Sequence, residues 1–280
     1  MRISPITLLA LALVAAPCSF GAIIAYDGFG EYAAGARVET DGDVQLDGGT
    51  GWSGSWNVLN GSRAEVTIAG SGLDYTGGML NVLGGDRSLQ ILPANGSILE
   101  LVGRAFPSQS DTVYLSFLYN NSVDVGESSS DFLQAGFRAD WGNPLVSALD
   151  RNTTFQARLT TSGSVNYGSG ITSATGETYF LVLRADKLGG SANYNHVQLY
   201  VNPTSFIEAE NAIDAQGTSN SGLAAASMMM IRRAFNDPGD AYLMDEFQVS
   251  TTFAEAVHAP EPASLTLLLA GAALLRRRRR

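Results

Sequence analysis

"TYFLVLRADKLGGSANYNHVQLYVNP", Thr178 to Pro203, is the stretch on which the fold turns. Its first limb, Thr178 to Asp186, is apolar on both faces when laid out as a strand, the pattern of a strand covered on both sides. Its second limb alternates, with Val197, Leu199 and Val201 against His196, Gln198 and Tyr200. The polar, glycine-bearing residues between the limbs are turn chemistry, so the whole reads as a hairpin closing on Asn202-Pro203.

The same alternation recurs on either side. "DTVYLSFLYN" places Val113, Leu115, Phe117 and Tyr119 on one face and Thr112, Tyr114 and Ser116 on the other. Further strand candidates start at Ala64, Ser88, Ser97, Asp131, Thr154, Ser227 and Tyr242. They are separated by glycine-rich breaks such as "GGTG", "AGSG", "LGGD" and "NDPGD". No sustained helical period appears, and the one short helix expected is Thr204 to Ile213. Ten or more strands without a linker predict an all-β domain, a single antiparallel two-sheet β-sandwich over residues 23–253.

The two ends differ from this body. "MRISPITLLALALVAAPCSFGA" has Arg2, an apolar run from Ile6 to Ala16, Pro17 and small residues near Gly21, which is a secretory signal peptide over residues 1–21. At the other end Pro260, Glu261 and Pro262 precede an uncharged segment, Ala263 to Leu275, and the arginines Arg276, Arg277, Arg278, Arg279 and Arg280. As a helix, residues 263–275 span about 20 Å, short of a hydrocarbon core of about 30 Å. Insertion then requires local thinning, with the arginines held on the cytoplasmic side. Residues 254–259 are expected to be a tether.

Net charge is −10, but the ends mask the body, where 11 basic residues face 26 acidic ones. Such a surface repels nucleic acid and anionic lipid and favours cations or neutral polymers. The only cysteine, Cys18, lies in the leader, so the body has neither a disulfide frame nor a thiolate metal site.

Two resemblances follow. Pro-Glu-Pro, a short hydrophobic helix and a terminal arginine run resemble the PEP-CTERM sorting tail, residues 260–280 here. That resemblance implies an exosortase partner that reads and removes the tail. It also implies secretion machinery acting on the signal peptide, passage through the inner membrane of a Gram-negative-type bacterium with transient anchoring there, and final residence at the cell surface or in the exopolysaccharide matrix. The Thr178–Pro203 hairpin and "YLMDEFQVSTTFAEAV" (from Tyr242) look like the back half of a concanavalin A-like, laminin-G-type jelly roll. The opening "AYDGFGEYAAGA" with "GGTGWSGSW" is similar to exported PEP-CTERM proteins carrying such a domain.

Chemistry is sparsely signalled. Laminarinase-type enzymes on this fold carry Glu-x-Asp-x-x-Glu on one strand face, and no such run occurs. Asp245 and Glu246 are adjacent in a strand and are expected on opposite faces, with one of them bonding backbone or an arginine. His196 and His258 have no neighbouring His or Cys, which argues against zinc or a Ser-His-Asp triad. Met228, Met229 and Met230 read as core packing. Trp52, Trp56 and Trp141 have two readings, stacking on sugar rings or plugging the core edge. Asp41, Asp43, Asp47, Asp237 and Asp240 lie in turn-rich segments. They read as calcium ligands, which laminin-G-like domains sometimes carry, or as plain turn formers. No other cofactor is indicated. The expectation is a non-catalytic exported protein that binds exopolysaccharide. A structural coat protein and a polysaccharide-degrading enzyme are the alternatives.

Overall fold

The computed structural model describes residues 22–38, 46–59, 65–92, 100–124, 131–160, 163–234, 237 and 239–257. The expected signal peptide (1–21), the expected sorting tail (260–280) and His258 lie outside the described residues. The chain forms β1 (Ile23–Asp27), β2 (Asn57–Leu59), β3 (Glu65–Ala69), β4 (Asp74–Gly77), β5 (Leu80–Leu83), β6 (Ser88–Leu92), β7 (Glu100–Gln109), β8 (Val113–Val123) and β9 (Phe132–Arg138). It continues as β10 (Val146–Arg151), β11 (Thr154–Thr160), β12 (Ser164–Thr172), β13 (Thr178–Asp186), β14 (His196–Val201), β15 (Ala215–Thr218), β16 (Ala226–Ala234), β17 (Ala241–Ser250) and the helical turn α1 (Phe253–Ala256).

The strands make the expected antiparallel sandwich. One sheet has eight strands in the order β15-β14-β13-β8-β17-β6-β3, with β1 also paired to β17. The other has seven, in the order β12-β11-β10-β9-β16-β7-β2. β13 and β14 pair from Leu181↔Val201 to Asp186↔His196, so the opening stretch is the hairpin it reads as. Alternation then sorts the side chains. Val113, Leu115, Phe117, Tyr119, Leu181, Leu183, Val197 and Leu199 enter the main core between the sheets.

The reason Thr178–Asp186 is apolar on both faces is a second core. Phe180 and Val182 point away from the sandwich and pack with Leu118 and Tyr200 beneath the β4–β5 hairpin and α1. Tyr75 of the hairpin donates its hydroxyl to the Pro203 carbonyl at 2.9 Å, tying the hairpin down. At the C-terminal side, Thr252 caps α1 by accepting from Glu255 N, and Phe253, Ala256 and Val257 are buried in the same cluster. The folded body therefore reaches Val257, and the expected tether start at residue 254 is corrected.

The expected helix from Thr204 to Ile213 is also corrected. Only a 3₁₀ turn, Glu208–Glu210, forms there. The Asn211 side chain accepts from the amides of Thr204 and Ser205, which supplies the backbone with a partner other than a helical one.

Candidate functional site

A cleft of about 280 Å³ opens where β1 runs beside β17. Its lining comes from three distant segments: Tyr26 to Glu31 with Gly49, the β5 end Leu83-Gly84-Gly85, and Glu246. Two smaller cavities, about 30 and 10 Å³, have room for roughly one water each.

A bulge in β17 builds the floor. Asp245 pairs with Leu118 and Gln248 with Ser116, so Glu246 and Phe247 together oppose Phe117 alone. Glu246 has φ of +52°, a left-handed conformation unusual for a residue with a side chain. Met244 and Phe247 both enter the main core, so Asp245 and Glu246 both turn away from it. The expectation that these two carboxylates face opposite sides is thus overturned, because alternation breaks at the bulge. Left-handed backbone recurs on the cleft wall at Phe29, with φ of +58°. Non-glycine residues held in this region concentrate at functional sites.

Each carboxylate has its own environment. Glu246 is only 4% exposed, and both its oxygens lie 2.9 Å from the Tyr26 hydroxyl that donates to them. Burial lifts its pKa to about 7, against the pull of Tyr26 and with help from the charges of Asp27 and Asp74. Asp245 accepts from Leu73 N at 2.9 Å, as expected for a strand acid that bonds backbone. Burial pushes its carboxyl up to about 9, with the charge of Glu246 adding to the rise. Asp27 accepts from Phe29 N, Tyr32 OH, Trp56 Nε1 and Arg104 Nη1 at 2.7–3.0 Å, and it and Arg104 are both buried.

Two glycines are required by close approach. A Cβ on Gly28 would stand 2.4 Å from both Glu246 Oε1 and Tyr26 Oη, so only glycine leaves that pair intact. A Cβ on Gly84 would stand 2.2 Å from Asp245 Oδ2 and from the Leu73 carbonyl oxygen. Gly84 thereby lets β5 close over Asp245 and hold it behind the cleft wall.

The predicted site residues fare unequally. Trp56 is buried and hydrogen-bonded to Asp27, so it is removed from sugar stacking. Trp52 donates to the Tyr26 carbonyl at 2.9 Å, lies 5.3 Å below the Arg104 guanidinium and packs on Phe106. Both tryptophans brace the core edge behind β1. Trp141 is 37% exposed on the turn after β9 and joins neither of them. Asp41 and Asp43 lie outside the described residues, and Asp47 is exposed. Asp240 accepts from the Asp237 amide at 2.8 Å, the turn-former role. Among the described residues no group of three His, Cys, Asp or Glu side chains is placed to hold a metal ion. Met229 enters the main core and Met228 and Met230 the opposite face, as alternation requires.

Sequence reasoning missed the cleft as a unit. Its two halves, "AYDGFGEY" and "MDEF", were both noticeable as motifs, but Tyr26 and Glu246 are separated by 220 positions. Among the described residues that line it there is no lysine, arginine, histidine, serine, threonine or cysteine. A ligand must therefore bring donors to the carboxylates and to backbone exposed at the glycines.

No protein-family model and no curated protein matches the sequence. Similar solved structures include the receptor-binding domain of botulinum neurotoxin D, with TM-score 0.44 and 10% identity over 85% of this chain and 52% of that one. The globular domain of T. cruzi calreticulin gives TM-score 0.41 and 10% identity over 80% and 95% of the two chains. A carbohydrate esterase of the Shiga toxin-encoding bacteriophage phi24B gives TM-score 0.45 and 10% identity over 83% and 100%. The chain spans about half the length of the neurotoxin domains it matches. At these identities the chemistry has to be argued from this chain's own residues.

Proposed function

We propose that this protein is exported, is sorted by its C-terminal tail, and binds a neutral polysaccharide in the cleft beside Glu246 without cleaving it. The observation that carries the binding reading is the cleft itself: a space of about 280 Å³ walled by Gly28, Gly30, Gly49, Gly84 and Gly85 that ends on the Tyr26–Glu246 pair. That volume lies near the small end of ligand pockets and suits roughly one or two sugar rings. Carboxylate and carbonyl acceptors match a polyol, whose hydroxyls are donors. Of the other acids near Glu246, Asp245 is held behind Gly84, Asp27 is committed to Arg104, and Glu31 accepts from Gly49 N at 3.1 Å, and the binding reading takes them as acceptors rather than as a catalytic pair.

Support for export and sorting comes from the signal-like leader, residues 1–21, and from Pro-Glu-Pro with the arginine run, residues 260–280. Intact mass and terminal sequencing of the native protein test this half. Loss of residues 1–21 and of the chain beyond about Pro262 is expected, and a full-length protein in the membrane fraction contradicts it.

Binding is tested by retention on immobilised polysaccharides, with and without calcium, alongside the Gly30→Trp variant. Gly30 has no atom within 4 Å of an added Cβ, so the indole fills the cleft without displacing backbone. Retention by the native protein and its loss in Gly30→Trp are expected. Equal retention of both proteins contradicts the site, and self-association without any glycan favours the structural-coat alternative. Release of reducing ends during incubation contradicts the non-catalytic reading.

A further inference from the structure

The cleft and the end of the folded body lie on one face. Met244, Phe247 and Val249 of β17 enter the main core, so Asp245, Glu246 and Gln248 turn to the outer face of the eight-stranded sheet. α1 packs on that same face. Its residues Phe253 and Ala256, with Val257, join Tyr114, Leu118 and Tyr200 in the second core, and the Gln248 amide donates to the Glu255 carbonyl. Register measures the separation. Asp245 pairs with Leu118 and Ser250 with Tyr114, whose ring meets that of Phe253 at 6.1 Å. From Tyr114 to Leu118 is a rise of roughly 13 Å along β8, and that is the distance between α1 and the cleft floor.

The sequence then limits how far this face can stand from a bilayer. Only residues 258–262 separate Val257 from the uncharged segment that starts at Ala263. However they are arranged, they carry Ala263 no further than about 20 Å from Val257. With Ala263 at the edge of the hydrocarbon, a head-group layer of about 6 Å leaves Val257 no more than about 14 Å outside the bilayer. A body of residues 22–257 has a radius of gyration of about 18 Å, so its centre stands roughly 23 Å from any surface on which it rests. Val257 is then at least about 9 Å nearer the bilayer than that centre. The face that carries it turns toward the lipid, and the cleft stands no higher than about the middle of the body.

We infer that anchoring by the tail restricts the cleft to short stretches of glycan, and that removal of the tail opens it to the interior of a long polymer. This rests on the reading that the tail enters the bilayer and that the cleft binds glycan. Roughly one or two rings fit the cleft itself. A long chain also has flanking sugars on both sides, and these meet the head groups in most orientations that the tether allows. Capture of polymer thereby waits until sorting is complete.

The test needs no glycan. The only cysteine is Cys18, in the leader, so a full chain with Cys18→Ser and Gly30→Cys carries one thiol at the mouth of the cleft. Gly168→Cys in place of Gly30→Cys puts it on the outer face of the other sheet, because the neighbouring Tyr167 packs inward. Neither glycine has an atom within 4 Å of an added Cβ. Both chains are placed in phosphatidylcholine nanodiscs and labelled with N-ethylmaleimide or with a bulky polyethylene-glycol maleimide, and each rate is divided by the rate in detergent. The small reagent should give similar ratios at both positions. The bulky reagent should be slowed several-fold at Gly30→Cys and little at Gly168→Cys. A Gly/Ser insert of about 30 residues after Ala259, roughly 30 Å across as a coil, should abolish the difference. Equal ratios at the two positions overturn the inference, as does a difference that survives the insert. A chain that does not co-purify with the discs contradicts the anchoring and overturns the inference with it. Failure of the glycan reading shows separately, as equal polysaccharide retention by the native and Gly30→Trp proteins.

Discussion

Replacing Glu246 with Gln should make the protein more stable at pH 8 and leave its stability at pH 5 nearly unchanged. Burial raises the Glu246 pKa from the usual 4.5 to about 7, so the folded state holds this proton more tightly than the unfolded state does. The stabilisation that results is complete below about pH 4.5 and is lost as pH rises through about 7. At about 1.4 kcal/mol per unit, the loss comes to roughly 3 kcal/mol. Asp245 contributes in the same direction up to about pH 9, and the charge of Glu246 is one cause of its high value. The Gln side chain keeps an oxygen to accept from Tyr26, carries no charge to bury, and removes that push on Asp245. Guanidinium denaturation at pH 5, 6, 7 and 8 measures the difference between the two proteins. The midpoints should coincide at pH 5 and diverge progressively, with the variant ahead by roughly 3 kcal/mol at pH 8. Parallel curves, or a variant that is weaker at pH 8, would refute the reasoning. The native residue then costs stability at neutral pH, as a binding carboxylate does when function and stability trade against each other.

Asp27→Asn should cost about 3–5 kcal/mol, because Arg104 is then a buried charge without its counter-ion. Arg104→Met should cost less, since Asp27 keeps three neutral donors and can take up a proton; urea melts of both variants give the order. Gly28→Ala should lower stability by about 1–3 kcal/mol and weaken glycan retention, because its Cβ falls on the Tyr26–Glu246 pair; paired melts and binding assays show both effects. Phe180→Ala should cost about 3–5 kcal/mol and increase proteolysis of the β4–β5 hairpin, whose Tyr75 packs on that ring at 5.5 Å.

The fold was legible where one rule governed a long run of residues. Alternation assigned Val113 to Tyr119 and Val197 to Val201 to the core, and the unbroken apolar run of Thr178–Asp186 announced a second cover that the β4–β5 hairpin and α1 supply. It failed where tertiary contacts reset the backbone. The +52° φ of Glu246 is held by Tyr26 and Gly28 from the far end of the chain, so nothing local in "MDEF" signals the bulge. Thr204–Ile213 looked helical because its residue types favour a helix, but Asn211 and Ser205 satisfy the backbone in a turn. Trp56 read first as a plug of the core edge and second as a sugar platform, and Asp27, which claims its indole N–H, decides for the first.

The crystal structure of the protein grown with a neutral oligosaccharide that it retains tests the central claim most directly. The account predicts sugar density between Gly30 and Leu83–Gly85, with ring hydroxyls donating to Glu246. Density for that sugar elsewhere on the sandwich, with the cleft empty, would contradict it.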